Sequence, residues 1–429
     1  MWVLAGPIIL SNMSVPLVGA VDTAVVGHLP DPVYIGAVAL GAIIFNFLFW
    51  GFGFLRMGTT GFAAQAYGAG DATEVRSNLA RALLLAAGLG LVLIIVQRPI
   101  EVAALWAFGG TLELESLAAS YYGIRIWSAP ATLANYAIFG CLIGIQNTHA
   151  ALALQLVLNI SNVLLDLLFV LGLGWGVEGV ALASVLSEYL ALFFGLWVVA
   201  RNLRRIGGQW NLAHITYAPR LRALLHVNFN IFLRTLGLIV AFFYFTAMGT
   251  KLGEVALAAN AVLLHLHYFM AYGLDGFAHA AEALAGSAYG ARNRVAFRAA
   301  VRATSFWALI IAGIYVLIYT VFGPSIISII TGIESVREAA AEYLPWVLLS
   351  PIVSVWSFQL DGIFIGTTRP VEMRNGMLLS LAAYLAASWL LIPLWGNHGL
   401  WMSFMIFMLA RAITLGLWYP RIERAMNGA

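Results

Sequence analysis

The chain has 429 residues, of which 62% are hydrophobic and only 10% are charged. With a mean hydropathy of +0.91, this composition excludes a water-soluble protein folded around one core and indicates an integral membrane protein. The net charge of +3 is small, and the single cysteine, Cys141, excludes an intramolecular disulfide framework.

Apolar segments long enough to cross a hydrocarbon core, about 20 residues each, recur along the whole chain. They are continuous apolar runs without the alternating polarity of barrel strands, so they predict helices. The predicted fold class is all-α: a polytopic membrane protein with about 12 transmembrane helices in two six-helix lobes. The predicted spans cover residues 2–27, 33–57, 78–97, 117–145, 150–173, 176–200, 223–249, 254–287, 299–321, 343–366, 374–394 and 397–419.

Basic residues are concentrated in alternate turns between these spans. The turns on the other side carry mainly acids, such as Glu113 and Glu334. The positive-inside rule therefore predicts that both termini are cytoplasmic, and we expect a multi-pass protein of the bacterial inner membrane. The basic pI of about 9.0 reflects this topology, so no nucleic-acid partner is predicted. The clustered basic residues are Arg76, Arg81, Arg201, Arg204, Arg205, Arg220, Arg222, Arg292, Arg294, Arg298, Arg302, Arg369, Arg374, Arg421 and Arg424.

The sequence repeats itself at an offset of about 222 positions. Ala66–Ala69 recurs as Ala288–Ala291, and the pair Gly140 and Gly144 recurs as Gly362 and Gly366. Two halves of six spans each must have the same orientation, and a cargo path is expected between them. The repeat predicts an amino-terminal lobe at 1–200, a cytoplasmic connector at 201–222 and a carboxyl-terminal lobe at 223–429.

Polar residues inside the first half form a candidate coupling site. A carboxylate in a bilayer costs roughly 2.5–3.5 kcal/mol even on a lenient scale, so intramembrane acids indicate function. Asp22 lies in the first span, Asn162 and Asp166 share a face of the fifth, and Ser184 lies at a compatible depth in the sixth. Their oxygens suit a shared proton, or Na⁺ as a hard cation; interhelical hydrogen bonds without a transport role are the alternative. Glu188 is either a proton relay or faces its own lobe.

The second half does not copy this group, because the matching positions are Tyr244, Ala386 and Phe404. It carries other intramembrane charges, for which pairing of the arginine with a carboxylate, a second proton site and a counter-charge for cargo all stay open. A His-x-x-Glu pair is weak as a metal site, since no third ligand is evident. These secondary candidates are Arg234 in the seventh span, Asp275, His279 and Glu282 on one face of the eighth, and Asp361 in the tenth.

Several motifs spread over nearly the whole chain are distinctive in combination. They are Val15–Gly19, Val21–Leu29, Phe54–Met57, Thr59–Gly61, Tyr272–Ala278 and Leu360–Gly366. In these motifs the chain resembles the multidrug and toxic compound extrusion (MATE) transporters, and within them the DNA-damage-inducible F (DinF) branch. The resemblance implies two six-helix lobes around a V-shaped cavity and cation-driven antiport of bulky, often cationic or amphipathic compounds.

The resemblance also implies roles for individual residues. The amino-terminal proton or sodium site of the family falls on Asp22, Asn162, Asp166 and Ser184, where serine replaces the usual threonine, and the bending proline of the first helix falls on Pro7. The carboxyl-terminal sodium site of another branch needs a glutamate in the seventh span, which this chain lacks. This difference favours proton coupling.

The predicted function is secondary active multidrug efflux: cation-coupled antiport, with H⁺ favoured, of bulky cationic or amphipathic compounds by alternating access. The expected partners are the lipid bilayer and small drug-like molecules, the protein is expected to be a monomer, and no cofactor beyond the coupling ion is predicted. No phosphate-binding loop or spaced catalytic motif is present, so neither ATP-driven export nor an enzyme is predicted. A lipid-linked precursor flippase, a Na⁺-coupled antiporter and a passive channel are the alternatives.

Overall fold

The computed structural model describes residues 1–27 and 31–426, except for the side chains of residues 15–18, 20, 22 and 23. Every regular element in that part of the chain is helical, and the all-α membrane fold is confirmed. The α-helices are α1 (Trp2–Val26), α2 (Pro32–Gly51), α3 (Phe54–Gly68), α4 (Ala72–Ile95), α5 (Gln97–Phe108), α6 (Leu112–Arg125), α7 (Ala129–Gly144), α8 (Thr148–Asp166), α9 (Gly176–Ile206), α10 (Leu212–Ile215), α11 (Ala218–Lys251), α12 (Glu254–Gly290), α13 (Arg294–Ile330), α14 (Glu334–Gly366) and α15 (Pro370–Ala425).

Ten helical stretches in the described part of the chain are long and apolar enough to span a membrane. One of them, α15, is broken at Gly396, whose φ of 53° and ψ of −125° are not helical, so α15 holds the last two predicted spans. Since α1 covers the first span, every predicted span coincides with one helix or with consecutive helical elements. The protein is a multi-pass membrane protein.

Some helix bounds differ from the predicted spans. The second span is divided between α2 and α3, and a 3₁₀ turn, Ile126–Ser128, separates α6 from α7. The helix of the third span begins at Ala72 and not at residue 78, because the carboxylate of Asp71 caps the polar first turn of α4. The separate helix α5 was not predicted. Hydropathy detects the lipid-facing length of a helix and not its polar ends.

The repeat extends to the backbone. The N-cap Asp71 accepts a hydrogen bond from the amide of Glu74, and Asn293, 222 positions later, accepts the equivalent bond from Ala296, both at 2.9 Å. Backbone conformations with positive φ also recur at this offset, although the residues are not always glycine. These pairs are Gly70 and Arg292, Gln146 and Thr368, and Gly174 and Gly396.

Glycines bring helix backbones into contact in both halves. An added Cβ at Gly140 on α7 would overlap the carbonyl oxygen of Arg56 on α3, and one at Gly362 on α14 would overlap that of Ala278 on α12. Gly144 and Gly366, one turn further, approach the same two partner helices. Small residues permit this close helix packing in membranes, and the equivalent contacts confirm the internal repeat.

By packing, the chain divides into two compact units. The amino-terminal unit is Leu10–Leu224, and the carboxyl-terminal unit combines Met1–Ile9 with the chain from Leu225 onward. The beginning of α1 packs within the carboxyl-terminal unit, where the Trp2 ring lies 5.4 Å from that of Phe277 in an edge-on contact. The predicted lobe limits at 200 and 223 stay a prediction, because packing groups residues by contact and not by membrane repeat.

Two arginines of α4 hold the segment that follows α9. Arg76 donates to the carbonyl oxygens of Leu203 and Gly207, each at 2.7 Å, and Arg81 donates to that of His214 at 2.5 Å. Carbonyls at the ends of helices lack partners within the helix, and a guanidinium satisfies them. The predicted connector is therefore tied to the amino-terminal unit along its central part.

A carboxylate network closes the end of α15. Glu423 accepts hydrogen bonds from Arg298 at 2.6 Å and Arg294 at 3.0 Å, and from the Tyr419 hydroxyl at 3.2 Å. The hydrogen bonds from Arg298, followed by those from Arg294 and Tyr419, lower the pKa of Glu423 to about 2, although partial burial acts in the opposite direction. This residue lies beyond the last predicted span, so aqueous pH reaches the network.

We expect Gly140→Ala and Gly362→Ala each to destabilise the protein by roughly 1–3 kcal/mol, the usual cost of overpacking, because backbone carbonyls occupy the space of the new methyl group. Thermal unfolding in detergent measures the effect. Gly88→Ala, in α4 with nothing near its Cβ, is the matched control and should be neutral or slightly stabilising. Equal midpoints for all three variants would contradict the assigned packing.

Glu423→Gln should lower the thermal midpoint at pH 7. A lowered carboxyl pKa contributes stability above the ordinary value of 4.5, and this contribution is lost as the pH falls toward 2. The difference between wild type and variant should therefore shrink below pH 4.5, as measured by melting between pH 7 and 3. Glu334→Gln, an exposed acid paired at 3.4 Å with Arg337, is the control and should give a small difference at every pH.

Candidate functional site

A polar face runs along α8 in the amino-terminal unit. Gln155, Asn159, Asn162 and Asp166 follow one another at spacings of four, three and four residues, which places them on one side of the helix. Gln155 donates to the Asn159 side chain at 2.9 Å. Asn162 and Asp166 are buried, with 7% and 0% of their surface exposed. Such a face in a membrane helix must be matched by polar groups of its neighbours.

The neighbour is α1. Asn159 donates from Nδ2 to the Ser14 hydroxyl at 2.7 Å, and Ser14 donates in turn to the carbonyl of Ser11. The helical backbone of α1 includes Asp22, but the side chain of Asp22 lies outside the described residues. Pro7 is buried in α1, within the segment that packs with the carboxyl-terminal unit. The predicted meeting of Asp22 with Asp166 stays a prediction.

Asp166 ends α8, and a π-helical turn, Leu167–Gly172, follows it directly. The Leu173 amide donates to the carbonyl of Leu168 at 2.9 Å, the wide spacing of such a turn. Phe169 in this turn stacks on Trp175 at 5.0 Å, and Trp175 with Glu178 lines a cleft of about 400 Å³. π turns occur frequently at functional sites, and this one fixes the end of the polar face.

Ser184 and Glu188 lie on α9, which packs against α8. Ser184 is 7% exposed, and its carbonyl accepts a hydrogen bond from Ser187. Glu188 accepts a hydrogen bond from Asn135 at 2.8 Å and pairs with Arg125 at 3.9 Å. The second of the two predicted readings of Glu188, a residue facing the interior of its own lobe, fits these contacts.

Aromatic side chains occupy two of the three equivalent positions of the carboxyl-terminal unit, and the third is Ala386. Tyr244, which matches Asp22 in the repeat, makes an edge-on contact with Tyr384 at 5.4 Å. Phe404, which matches Ser184, packs against Phe245 at 5.4 Å and Trp401 at 6.2 Å. These rings form an apolar core in place of a polar face, so the two units have diverged in their interiors.

The carboxyl-terminal unit carries its buried charges elsewhere. Arg234 on α11 and Arg411 on α15 each place Nη2 at 2.5 Å from the same oxygen, Oδ2, of Asp361 on α14. Their exposed fractions are 5%, 3% and 7%. Arg411 also lies over the Phe407 ring at 5.6 Å. Buried charges in membrane helices pair in this way, and Asp361 is thereby matched by two cations.

The other two acids of the predicted secondary site, Asp275 and Glu282, lie on α12. Asp275 is half-buried. His279 and Glu282 are buried one and two turns further along the helix. The backbone carbonyl of Glu282 lies at the close approach of Gly366. Within the described residues, no three His, Cys, Asp or Glu side chains converge on a point that could hold a metal ion.

Sequence reasoning missed Ser14, Gln155 and Asn159 as members of the polar face. The signal was present, because the spacing of Gln155, Asn159, Asn162 and Asp166 follows a helical period in an otherwise apolar span. Ser14 had no such signal, since a lone serine in a membrane helix usually bonds to its own backbone. Only its hydrogen bond from Asn159 on α8 identifies it.

The comparisons with known proteins agree with this arrangement. A family model, MatE, matches residues 7–168 and again 231–394, once in each half of the chain. The chain belongs to the MatE family. This membership confirms the predicted MATE resemblance, and the double match agrees with the internal repeat. A multidrug resistance MATE family transporter of known structure superposes with a TM-score of 0.88 at 21% identity, and this likeness shows the same fold.

Among MatE relatives, the chain is 42% identical over 421 residues to DNA damage-inducible protein F of Escherichia coli (strain K12), covering 98% of this chain and 92% of that protein. It is 25% identical to a probable multidrug resistance protein NorM of Agrobacterium fabrum, covering 94% and 91%. A MOP superfamily transporter from Pyrococcus furiosus, described as having a binding pocket of reverse polarity, superposes with a TM-score of 0.88 at 22% identity, covering 100% and 96%. This last likeness shows the MatE fold.

Asp361→Asn should destabilise this MatE protein by about 3–5 kcal/mol, because it leaves two buried guanidiniums facing a neutral amide. Adding Arg411→Met should restore part of the loss, since one unmatched charge is removed. Thermal midpoints of the wild type and of the single and double variants form the cycle that measures this coupling. A double variant that is as unstable as the sum of both single variants would show that the arginine and the acid do not interact.

Proposed function

We propose that the protein is a secondary active multidrug efflux transporter that exchanges protons for bulky cationic or amphipathic compounds by alternating access. Membership of the MatE family supports transport, and the probable multidrug resistance proteins among its relatives support the cargo class. The polar face of α8, which ends in the fully buried Asp166, is the observation that carries the coupling site.

Helical geometry supports a pairing of Asp22 with Asp166. The first and fifth predicted spans run in the same direction, because four spans separate their starting points. From the hydrogen-bonded pair of Ser14 and Asn159, Asp22 lies eight residues along α1 and Asp166 seven residues along α8. At about 1.5 Å per residue, the two acids are displaced by about 12 Å and 10 Å. They therefore reach similar depths in the membrane.

Two acids at one depth suit a proton. Like charges in proximity raise one pKa, so a proton is held until a conformational change alters their surroundings. Asn162 and Ser184 supply neutral polar groups beside them. In this proposal the outward-facing protein takes up the proton, releases cargo and returns inward, and Pro7 permits α1 to bend.

The charges of the carboxyl-terminal unit favour H⁺ over Na⁺. Asp361, the tenth-span acid, already has two guanidiniums on one oxygen, and α11 carries Arg234 and no glutamate. Electrostatic repulsion by Arg234 and Arg411 opposes a sodium ion beside this carboxylate. We place the protein in the bacterial inner membrane as a monomer with both termini in the cytoplasm, without a cofactor and without enzymatic activity.

In proteoliposomes, an imposed proton gradient should drive efflux of a fluorescent cationic dye, and Asp22→Asn or Asp166→Asn should reduce it to the level of empty liposomes, because an amide cannot carry the proton. The same liposomes under a sodium gradient test the ion. Glu101→Gln is the matched control: a buried acid outside the site, paired at 3.1 Å with Arg98, whose loss should leave coupled efflux intact.

Three results would redirect the proposal. Efflux driven by sodium and not by protons would make the protein a Na⁺-coupled antiporter. Dye movement that ignores both the gradient and the two aspartate variants would remove coupling at Asp22 and Asp166 and favour a channel or a lipid-linked precursor flippase. Equal loss in Glu101→Gln would show that the loss of efflux is not specific to Asp22 and Asp166.

A further inference from the structure

A second polar cluster surrounds the break in α15. Gly396 has a left-handed φ of 53°, and Asn397 next to it exchanges two hydrogen bonds with Asn260 on α12, at 2.7 and 2.9 Å. The indole of Trp401 donates to the same Asn260 at 2.8 Å. These bonds hold the start of the last helix, and His398 lies within this ordered segment.

The contacts of His398 determine which ring nitrogen carries the proton. Trp346 on α14 donates from Nε1 to His398 Nδ1 at 3.0 Å. An indole can only donate, so Nδ1 must be the lone-pair acceptor and Nε2 must carry the hydrogen. His398 Nε2 lies 3.1 Å from the Glu342 carboxylate, which accepts that hydrogen. The geometry therefore describes a neutral imidazole held between a donor and an acceptor.

A second proton on this ring must enter at Nδ1. The protonated ring has an N–H at both positions, so Nδ1–H would face the indole N–H of Trp346, donor against donor. The bond to Glu342 would become charge-assisted and stronger. We propose that His398 is a proton-binding site of the carboxyl-terminal unit, and that proton uptake exchanges its bond to Trp346 for an ion pair with Glu342.

The surroundings permit this uptake. His398 and Glu342 have side chains 44% and 56% exposed, and they lie at the ends of the predicted spans 397–419 and 343–366, where water meets the membrane. The titratable groups that face His398 from α14 are Glu342 and Tyr343, whose ring lies 4.8 Å away. On the α12 side, Asn260 is uncharged, and the stretch of α15 from Leu391 to Met402 has no other titratable residue. Glu342 is thus the charged group that pairs with His398 when the ring takes up a proton.

Uptake would change the packing of α15 on α14. Trp346 and Glu342 are one helical turn apart on α14, so the exchange draws the imidazole along that helix. By the positive-inside topology this end faces the outer side, where an exporter driven by protons receives them. The site extends the proposed function, because it gives the carboxyl-terminal unit a response to the pH outside the cell. Proton binding at His398 does not itself require proton coupling at Asp22 and Asp166.

Fluorine NMR on protein labelled with 5-fluorotryptophan tests the site without a transport assay. Each of the 14 tryptophans gives its own resonance, and the one lost in Trp346→Phe is that of Trp346. Between pH 8 and 5.5, the range in which histidines titrate, this resonance should shift along a single sigmoid in wild type and stay constant in His398→Gln. The amide keeps an acceptor and a donor but cannot bind the proton.

Two controls make the result decisive. The Trp401 resonance, whose indole bonds to the uncharged Asn260, should not follow the same sigmoid. Glu342→Gln should move the Trp346 transition to lower pH, because the protonated ring loses its counter-charge. A Trp346 resonance that does not titrate, or that titrates equally in His398→Gln with the other resonances unchanged, would overturn the proposal. Failure of dye efflux with an intact titration would instead count against the proposed coupling alone.

Discussion

Backbone contact at four glycines sets the frame of both units. Lipid tails are as apolar as leucine, so membrane helices associate by close packing and polar bonds and not by leaving water. Gly140 and Gly144 seat α7 on α3, and Gly362 and Gly366 seat α14 on α12. These contacts put carbonyl groups, including that of Glu282, at van der Waals distance from a partner helix. The side chains of α14, Asp361 among them, receive fixed positions from the same contact.

The two units share these helix contacts but place their buried polar side chains at different positions. The amino-terminal unit assembles amides, hydroxyls and a carboxylate along α8, linked to α1 through Ser14 and Asn159. The carboxyl-terminal unit fills the matching places with rings such as Phe404 and moves its charges to the cluster around Asp361. A duplicated architecture can thus keep its helix contacts, which depend on glycine, while its interior chemistry changes. The asymmetry separates a unit with a polar face in its interior from one whose buried Asp361 is paired with two arginines.

Much of this could be predicted from the sequence. The length of the apolar segments predicts the spans, because the bilayer has one thickness for all of them. The glycine pairs indicate the repeat. The acid Asp166 and the arginine Arg234 stood out by the cost of charge in lipid. The pairing of Arg411 with Asp361 depends on how α15 packs against α14, which no local pattern contains.

Other features of the structure leave no recognisable pattern in the sequence. The π turn after Asp166 is apolar throughout, so its altered hydrogen bonding leaves no trace in composition. The arginines Arg76 and Arg81 were read as topological charges, whereas the structure uses them to bind helix-end carbonyls. An arginine can mark the cytoplasmic side and also bind a helix-end carbonyl, so the sequence alone does not distinguish the two roles. The bonds of His398 likewise join residues about fifty positions apart, which spacing alone does not connect.

The division into units has a mechanical consequence. The chain passes between the units twice, between Ile9 and Leu10 and between Leu224 and Leu225, and both crossings lie inside helices, α1 and α11. The segment before α11 is itself bound to α4 by Arg76 and Arg81. Any rearrangement of the units must therefore bend or twist two helical rods, which store elastic energy and transmit torque. A flexible tether would leave the backbone direction free at each crossing, whereas a continuous helix fixes it.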